Sequence, residues 1–386
     1  MRSVGCRRWP PAPSSAVADP DALRFLAFYL PQFHPIPEND EWWGPGFTEW
    51  TNVVQGRPLF RGHHQPHLPA DLGFYDLRLP ETRAAQADLA RGHGIDGFCY
   101  YHYWFGGRRL LERPFQEVLG SGSPDLPFCL CWANENWTRV WNGKEDQVLL
   151  RQEYSDDDDL AHVRWLAEAF ADPRYLRVDG RPVFLVYRAS RLPDARRTTD
   201  RWRAEAVRLG VGEPYLCAVQ ALPTGRVDPA VLGFDAAVQF APDFSDRTSQ
   251  GGLVARAVRR VVHPHSPLRR NRVADYEEMA RRMMTQSMPA GSGPAYTRFP
   301  CLTPGFDNSA RRADGGATIL VESSPSAYER WLREVVARFT PPSPEENLVF
   351  VNAWNEWGEG NHLEPCQRWG RAYLDAHARV AGRGAP

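Results

Sequence analysis

With 386 residues the chain could hold two ordinary domains or one barrel with insertions, and its formal net charge of −1 offers no ground for a nucleic-acid or anionic-membrane partner. Aromatic residues make up 12%, including 14 tryptophans, whose faces suit sugar rings and protein cores equally well. The seven cysteines are odd in number and form no C-x-x-C, which speaks for reduced, buried thiols rather than a disulfide framework.

Residues 1–23 are rich in Pro, Ala, Arg and Ser without an apolar signal-peptide core, and read as a disordered leader before one unit over 24–386. No apolar run reaches the roughly 18 residues of a membrane span, so a cytoplasmic location is the default expectation.

Arg24–Leu30 is an apolar strand that breaks at Pro31. A Pro-stiffened loop, Gln32–Asp40, leads to Trp42-Trp-Gly-Pro-Gly-Phe-Thr-Glu-Trp50, too aromatic for a disordered connector. Pro80–Gly92 has the acidic start, Ala/Leu stripe and glycine stop of a helix. Strands then alternate with helices: strands Gly94–Phe105, Pro127–Trp132, Pro182–Arg188, Pro214–Gln220 and Ala236–Phe240, helices Pro114–Leu119, Asp159–Phe170 and Thr199–Leu209. Asp243–Arg298 is the least legible stretch, with one helix expected over Ala274–Met284. A seventh strand, Arg298–Thr303, a helix, Pro325–Phe339, an eighth strand, Leu348–Val351, and a terminal helix, Trp369–Ala381, complete the pattern. This alternation argues for an α/β fold with a parallel sheet, and eight strands argue for a (β/α)8 TIM barrel with long strand-to-helix loops. No Gly-rich phosphate loop follows the first strand, which removes the main nucleotide-binding alternative.

In such a barrel the polar residues after each strand converge on one face. They are Gln32, His34, Glu49, His102, Asn134, Glu135, Arg139, Tyr187, Gln239, Asp307, Glu356 and Glu359. Trp132 and Trp137 could stack on sugars or pack the core. Glycoside cleavage needs one carboxyl to protonate the leaving oxygen and a second at the anomeric centre. Glu356 and Glu359 are three apart and would face opposite sides of a straight strand, but Gly358 permits a turn that brings both into the mouth. His63, His64 and His67 lack an obvious partner acid, so no metal is expected there. The acidic run Asp156–Asp159 reads as a helix start favoured by the macrodipole.

Four motifs carry a resemblance: Phe28–Asp40, Gly46–Asn52, Trp132–Arg139 and Asn352–Pro365. Together they resemble the WbsX-type family, labelled glycosyltransferase or lipopolysaccharide biosynthesis protein, which is similar to glycoside hydrolase family 99. The resemblance runs from about Arg24 to Val380 and implies a (β/α)8 barrel. Glu356-Trp-Gly-Glu-Gly360 matches the Glu-Trp-x-Glu-Gly motif that holds the catalytic pair of the endo-acting family 99 α-mannosidases and α-mannanases. It implies Glu359 as general acid/base and Glu356 as the base that deprotonates the sugar 2-hydroxyl, giving a 1,2-anhydro intermediate and net retention. Trp50, Asn355 and Trp357, within the same motifs, join the expected substrate contacts, and Glu364 is expected to be structural. Gly358 stands where family 99 commonly has His, and the substrate loops follow the WbsX side, so mannose specificity is not implied. The expectation is a retaining glycoside hydrolase or transglycosylase acting on an O-antigen or capsule polysaccharide, without metal or cofactor. The alternatives are a glycosyltransferase of lipopolysaccharide or capsule assembly and a non-catalytic carbohydrate-binding barrel.

Overall fold

The structure is a computed structural model that describes residues 23–139, 144–221, 227–243, 270–287, 296–312 and 315–382. The expected leader, apart from its last residue, lies outside them, as does most of Asp243–Arg298.

Eight short apolar segments make the strands of one ring. They are β1 (Arg24–Tyr29), β2 (Gly97–Phe105), β3 (Phe128–Trp132), β4 (Arg181–Val186), β5 (Tyr215–Gln220), β6 (Ala236–Gln239), β7 (Arg298–Phe299 with Cys301–Leu302) and β8 (Leu348–Val351). Each pairs in parallel with the next in chain order, and β8 returns to β1 with Arg24 opposite Leu348. The seventh strand is expected as one piece but comes in two. Phe299 pairs with Val238 of β6, and Leu302 pairs with Val351 of β8. Pro300 lies between the pieces, and a proline has no N–H to give to a ladder. The strands are buried on both faces, as a parallel sheet under helices requires, which is why they read as unbroken apolar runs. Cys99, Cys129, Cys131, Cys217 and Cys301 on the strands, and Cys366 beyond β8, are all unpaired and buried.

The excursion after β1 contains two short helices that the sequence reading leaves as loop, α1 (Pro37–Trp43) and α2 (Glu49–Val53). Pro37 opens α1 at a position where no N–H is needed, and Thr48 and Thr51 close a capping box around the start of α2. The outer helices are α3 (Pro80–Gly92), α4 (Arg113–Ser121), α5 (Asp156–Phe170), α6 (Ala195–Arg208), α7 (Tyr276–Ser287), α8 (Pro325–Arg338) and α9 (Ala372–Val380). Ser155 caps α5 by accepting from the Asp158 N–H, and Asp159 is ion-paired to Arg201 of α6, so the acidic run is a helix start. Helix α6 begins four residues before the expected Thr199 because Asp194 accepts from the Arg197 N–H and caps it there. Two of the pairings outside the ring lie where no strand is expected from the sequence. One is an antiparallel pair, Trp137–Arg139 with Lys144–Leu150, after β3; the other is a parallel pair, Arg272–Asp275 with Thr318–Val321.

Candidate active site

A cavity of about 480 Å³ opens at the carboxyl ends of the barrel strands. Its floor and walls follow from the two-residue period of a strand. In β2, Tyr101 and Tyr103 face the cavity, while His102 between them faces outward to the helix layer. Loops then add Gln32 after β1, Trp43 from α1, Glu135 and Trp137 after β3, and Tyr187 after β4. Burial pushes the phenols of Tyr101, Tyr103 and Tyr187 up, so they stay protonated hydrogen-bonding groups.

The two candidate acids arrive on a compact turn after β8. Asn355–Glu356 pairs antiparallel with Asn361–His362, and a 3-10 turn, Trp357–Glu359, closes between them. Asn355 anchors the turn to the end of β1, donating to the Leu30 carbonyl at 3.0 Å and accepting from the Leu30 N–H at 2.8 Å. Trp357 stacks on His362 with ring centroids 3.7 Å apart and donates through Nε1 to Glu364 Oε2 at 2.7 Å. Glu364 also accepts from Tyr75 at 2.8 Å and from Gln86 at 2.7 Å. It is a buried acid, raised by burial to about 7 although hydrogen bonds from Gln86, Trp357, Tyr75 and Trp354 pull it down.

Glu356 and Glu359 both line the cavity and are bridged by one guanidinium, that of Arg311. Arg311 Nη2 lies 2.9 Å from Glu356 Oε2 and Nη1 lies 2.8 Å from Glu359 Oε1. Its Nε donates to a third carboxylate, Glu49 Oε1, at 2.7 Å. Three elements far apart in sequence therefore meet at this residue: α2, the short 3-10 turn Asn308–Arg311 after β7, and the turn after β8. A planar guanidinium with five fixed N–H donors suits this three-way contact better than an ammonium would.

Burial alone would lower Arg311, but Glu49, Glu356 and Glu359 hold it well above its ordinary value. One cation cannot neutralise three carboxylates in a site this closed. Burial raises Glu356 to about 8, with Arg311 pulling down and Glu359 and Glu49 pushing up. Burial raises Glu49 too, against the pull of Arg311. Burial thus favours the protonated form of Glu356 in the free site.

Of the residues expected at the site, Gln32, Glu135, Trp137, Tyr187, Glu356 and Glu359 line the cavity. Glu135 is held by Arg188 at 3.3 Å and Arg191 at 3.7 Å. Others stand behind the wall. His102 contacts His162 of α5 through the two Nε2 atoms at 2.9 Å and stacks on Trp165 at 4.5 Å. Trp132 is fully buried and donates to the Trp104 carbonyl. Asn134 pairs with the backbone of Arg188, while Trp50 donates to the Tyr75 carbonyl and packs on Phe33. His34 and Gln239 are buried, and Asn355 and Trp357 support the turn. Asp307 faces a second cavity of about 270 Å³, where it contacts His63 at 2.6 Å and accepts from Gln65 at 2.7 Å. Arg139 sits on the short strand after β3.

Sequence reasoning missed Arg311, Tyr101, Tyr103 and Trp43. The two tyrosines were within reach, because strict alternation along β2 puts them on one face and His102 on the other. Arg311 had no such signal. It lies just past Pro-Gly-Phe-Asp-Asn308, where the seventh strand's polar end seemed complete, in a chain rich in arginine.

Solved structures of similar architecture cover nearly the whole chain. A GH99 endo-alpha-mannosidase from Bacteroides thetaiotaomicron aligns with a TM-score of 0.54 over 94% of this chain and 97% of its own, at 12% identity. A glycoside hydrolase-like protein aligns with a TM-score of 0.55 over 96% of each chain, at 15% identity. At such identities the likeness is one of fold. Two proteins from strains of Xanthomonas campestris pv. campestris, each described as "Uncharacterized protein WxcX", are 47% identical over 370 and 359 residues. These alignments cover 95% and 93% of this chain but 51% and 49% of the relatives, so the chain spans about half their length. The sequence pattern of the family described as "Glycosyltransferase WbsX" matches residues 25–377, and the chain belongs to that family.

Proposed function

We propose that the chain is a retaining glycoside hydrolase or transglycosylase that acts on a bacterial surface polysaccharide through Glu356 and Glu359. The observation that carries this reading is the bridged pair: two carboxyls on one guanidinium, at the bottom of a sugar-sized cavity walled by Trp43, Trp137 and Tyr103. Tryptophan and tyrosine offer flat apolar faces to a pyranose ring, and Gln32, Glu135 and Asn136 offer polar partners to its hydroxyls.

In this reading Glu356 removes the proton of the 2-hydroxyl, and that oxygen attacks the anomeric carbon as the glycosidic bond breaks. Glu359 protonates the departing oxygen, so a 1,2-anhydro sugar forms and the pair has exchanged one proton overall. Glu359 then deprotonates water or an acceptor hydroxyl, which opens the ring of the intermediate at the anomeric carbon, and Glu356 returns the proton to O2. Two inversions give net retention. The chemistry needs one proton on the pair at the start, which is the stoichiometry the crowded site favours. That proton must be on Glu359 when the leaving oxygen accepts it. Glu359 is also the more exposed carboxyl of the two, where a departing sugar oxygen can reach it.

The family's description favours a second reading, a glycosyltransferase that extends a polysaccharide. One experiment separates the two. Purified protein is incubated with oligosaccharides of a bacterial surface polysaccharide and, separately, with nucleotide sugars plus acceptor. Cleavage or transfer between glycans, lost in Glu356→Gln and Glu359→Gln, supports the first reading; transfer from a nucleotide donor without glycan cleavage replaces it with the second.

A further inference from the structure

Glu49 is the oddest member of the site. It is fully buried in α2, it does not line the cavity, and yet it holds Arg311 through a direct ion pair. A buried charge away from the ligand needs a reason, because removing it from water is costly. The turn after β8 supplies one. A Cβ placed on Gly358 would lie 1.8 Å from Glu49 Oε1 and 2.7 Å from Arg311 Nε. The absent side chain at position 358 is therefore the space that the Glu49–Arg311 pair occupies. Gly358 sits between the two acids in sequence, so the pair is inserted into the turn that presents them.

We propose that Arg311 and Glu49 are the positioning residues of this site: Glu49 fixes the guanidinium plane through Nε, and the two free ends of that plane aim the carboxyls of Glu356 and Glu359 into the cavity. The proposal rests on the functional reading above for the identity of the acting carboxyls. Each part follows from geometry. Glu356 and Glu359 take different nitrogens of one rigid fork, so their relative placement is set by that fork and not by two independent side-chain rotamers. The third nitrogen, Nε, is the only one whose partner can stop the fork from swinging about the Arg311 side chain while both ends stay in use. Glu49 can do this from α2 because the Glu49 N–H donates to the Gln32 carbonyl at 3.0 Å, which ties the start of that helix to the loop after β1. Arg311 is itself placed by the Asp307 N–H, which donates to the Glu359 carbonyl at 2.5 Å, and by Asp307 capping Ser309.

Among the described residues, the titratable groups that face Glu356 are Arg311 after β7, Glu359 on its own turn, Glu49 on α2, and the phenols of Tyr101 and Tyr103 on β2. Arg311 and Glu49 act on Glu356 with opposite signs, so their removal should move its titration in opposite directions.

The test uses the whole chain with 13C-carboxyl-labelled glutamate, in which the Glu356 signal is identified by its loss in Glu356→Gln. Arg311→Met should move the Glu356 titration up and Glu49→Gln should move it down, each by about one unit or more. An unmoved titration in both variants overturns the proposal whether or not a substrate is known. With a cleavable glycan, Arg311→Met and Arg311→Lys should each lower kcat about a hundredfold with little change in KM, because a lysine restores the charge but not the fork. Rescue by Arg311→Lys would overturn positioning in favour of simple charge balance. Gly358→Ala should be damaging in the native chain and should cost less in the Glu49→Ala background, since the contact with Glu49 is gone and only the one with Arg311 Nε remains. Full additivity of those two substitutions would also overturn it. If Glu356→Gln and Glu359→Gln abolish turnover while Glu49→Gln and Arg311→Met keep it, this inference fails and the functional reading stands. If Arg311→Lys fails to restore the native Glu356 titration while Glu356→Gln and Glu359→Gln leave glycan turnover intact, the functional reading fails and the positioning pair stands.

Discussion

The indole Nε1 of Trp357 donates to Glu364 Oε2 at 2.7 Å, across the turn that carries both cavity acids. Glu364 is thus the post to which the turn is tied, and its carboxylate also receives Tyr75 and Gln86. Glu364→Gln keeps the shape but sets an NH2 against at least one of them. It should destabilise the chain by about 1–3 kcal/mol, read as a lower denaturant midpoint with an unchanged slope. A midpoint equal to that of the native chain would mean the three donors find water instead.

The pH dependence of stability carries the signature of Glu356. Its folded value, raised by burial to about 8, lies above its unfolded one, so the folded chain holds a proton that the unfolded chain has released. Stability from this group is complete below the unfolded pKa of about 4.3 and is lost as pH rises through about 8. Glu356→Gln has no proton to lose. Relative to the native chain it should gain about 1–3 kcal/mol between pH 6 and pH 9. A gap between the two proteins that is the same at both pH values would show Glu356 already ionised at pH 6.

Trp137 meets Tyr103 edge to face at 5.2 Å and Trp42 at 5.6 Å, so the two cavity-lining rings, Trp137 and Tyr103, touch each other and Trp42 of α1 packs against the first of them. Trp137→Ala should weaken oligosaccharide binding by about 0.5–1.5 kcal/mol and leave kcat nearly unchanged, as calorimetry and steady-state rates would read. A collapse of kcat with intact binding would assign Trp137 to the chemistry instead.

His102 should behave in the opposite way. It stacks on Trp165 and faces His162, with burial holding both imidazoles neutral. His102→Ala leaves a hole between β2 and α5 and a buried His162 nitrogen without its partner. The expected outcome is a loss of about 2–4 kcal/mol in stability with KM unchanged at a temperature where the variant is folded.

The fold was legible because every barrel strand is buried on both faces, which leaves a short apolar run in the sequence that loops and helices do not imitate. Its boundaries held to within a few residues, except at β7, where Pro300 divides one expected strand into two. The candidate site was legible where a residue falls within a few positions of a strand's carboxyl end, as Gln32, Glu135 and Tyr187 do. Trp132 and His102 lie in the carboxyl-terminal halves of their strands and Asn134 just past one, yet their side chains turn outward or bond to backbone, which depends on register and not on composition. Arg311 is the reverse case. Nothing local marks it, because its importance comes from Glu49, which is 262 residues away, and from a glycine 47 residues on.

The divided seventh strand has a dynamic consequence. Each half of β7 is joined to a single neighbour by two residue pairs, whereas β8 is joined to β1 by four. The ring should therefore breathe first at β7, and amide hydrogen exchange at Phe299 and Leu302 should outpace exchange at Val349 and Val351. Glu356 and Glu359 follow the tight staves of the barrel, while Arg311 follows the loose one. Opening at β7 is therefore expected to loosen the guanidinium's hold on the two acids before the strand they follow gives way.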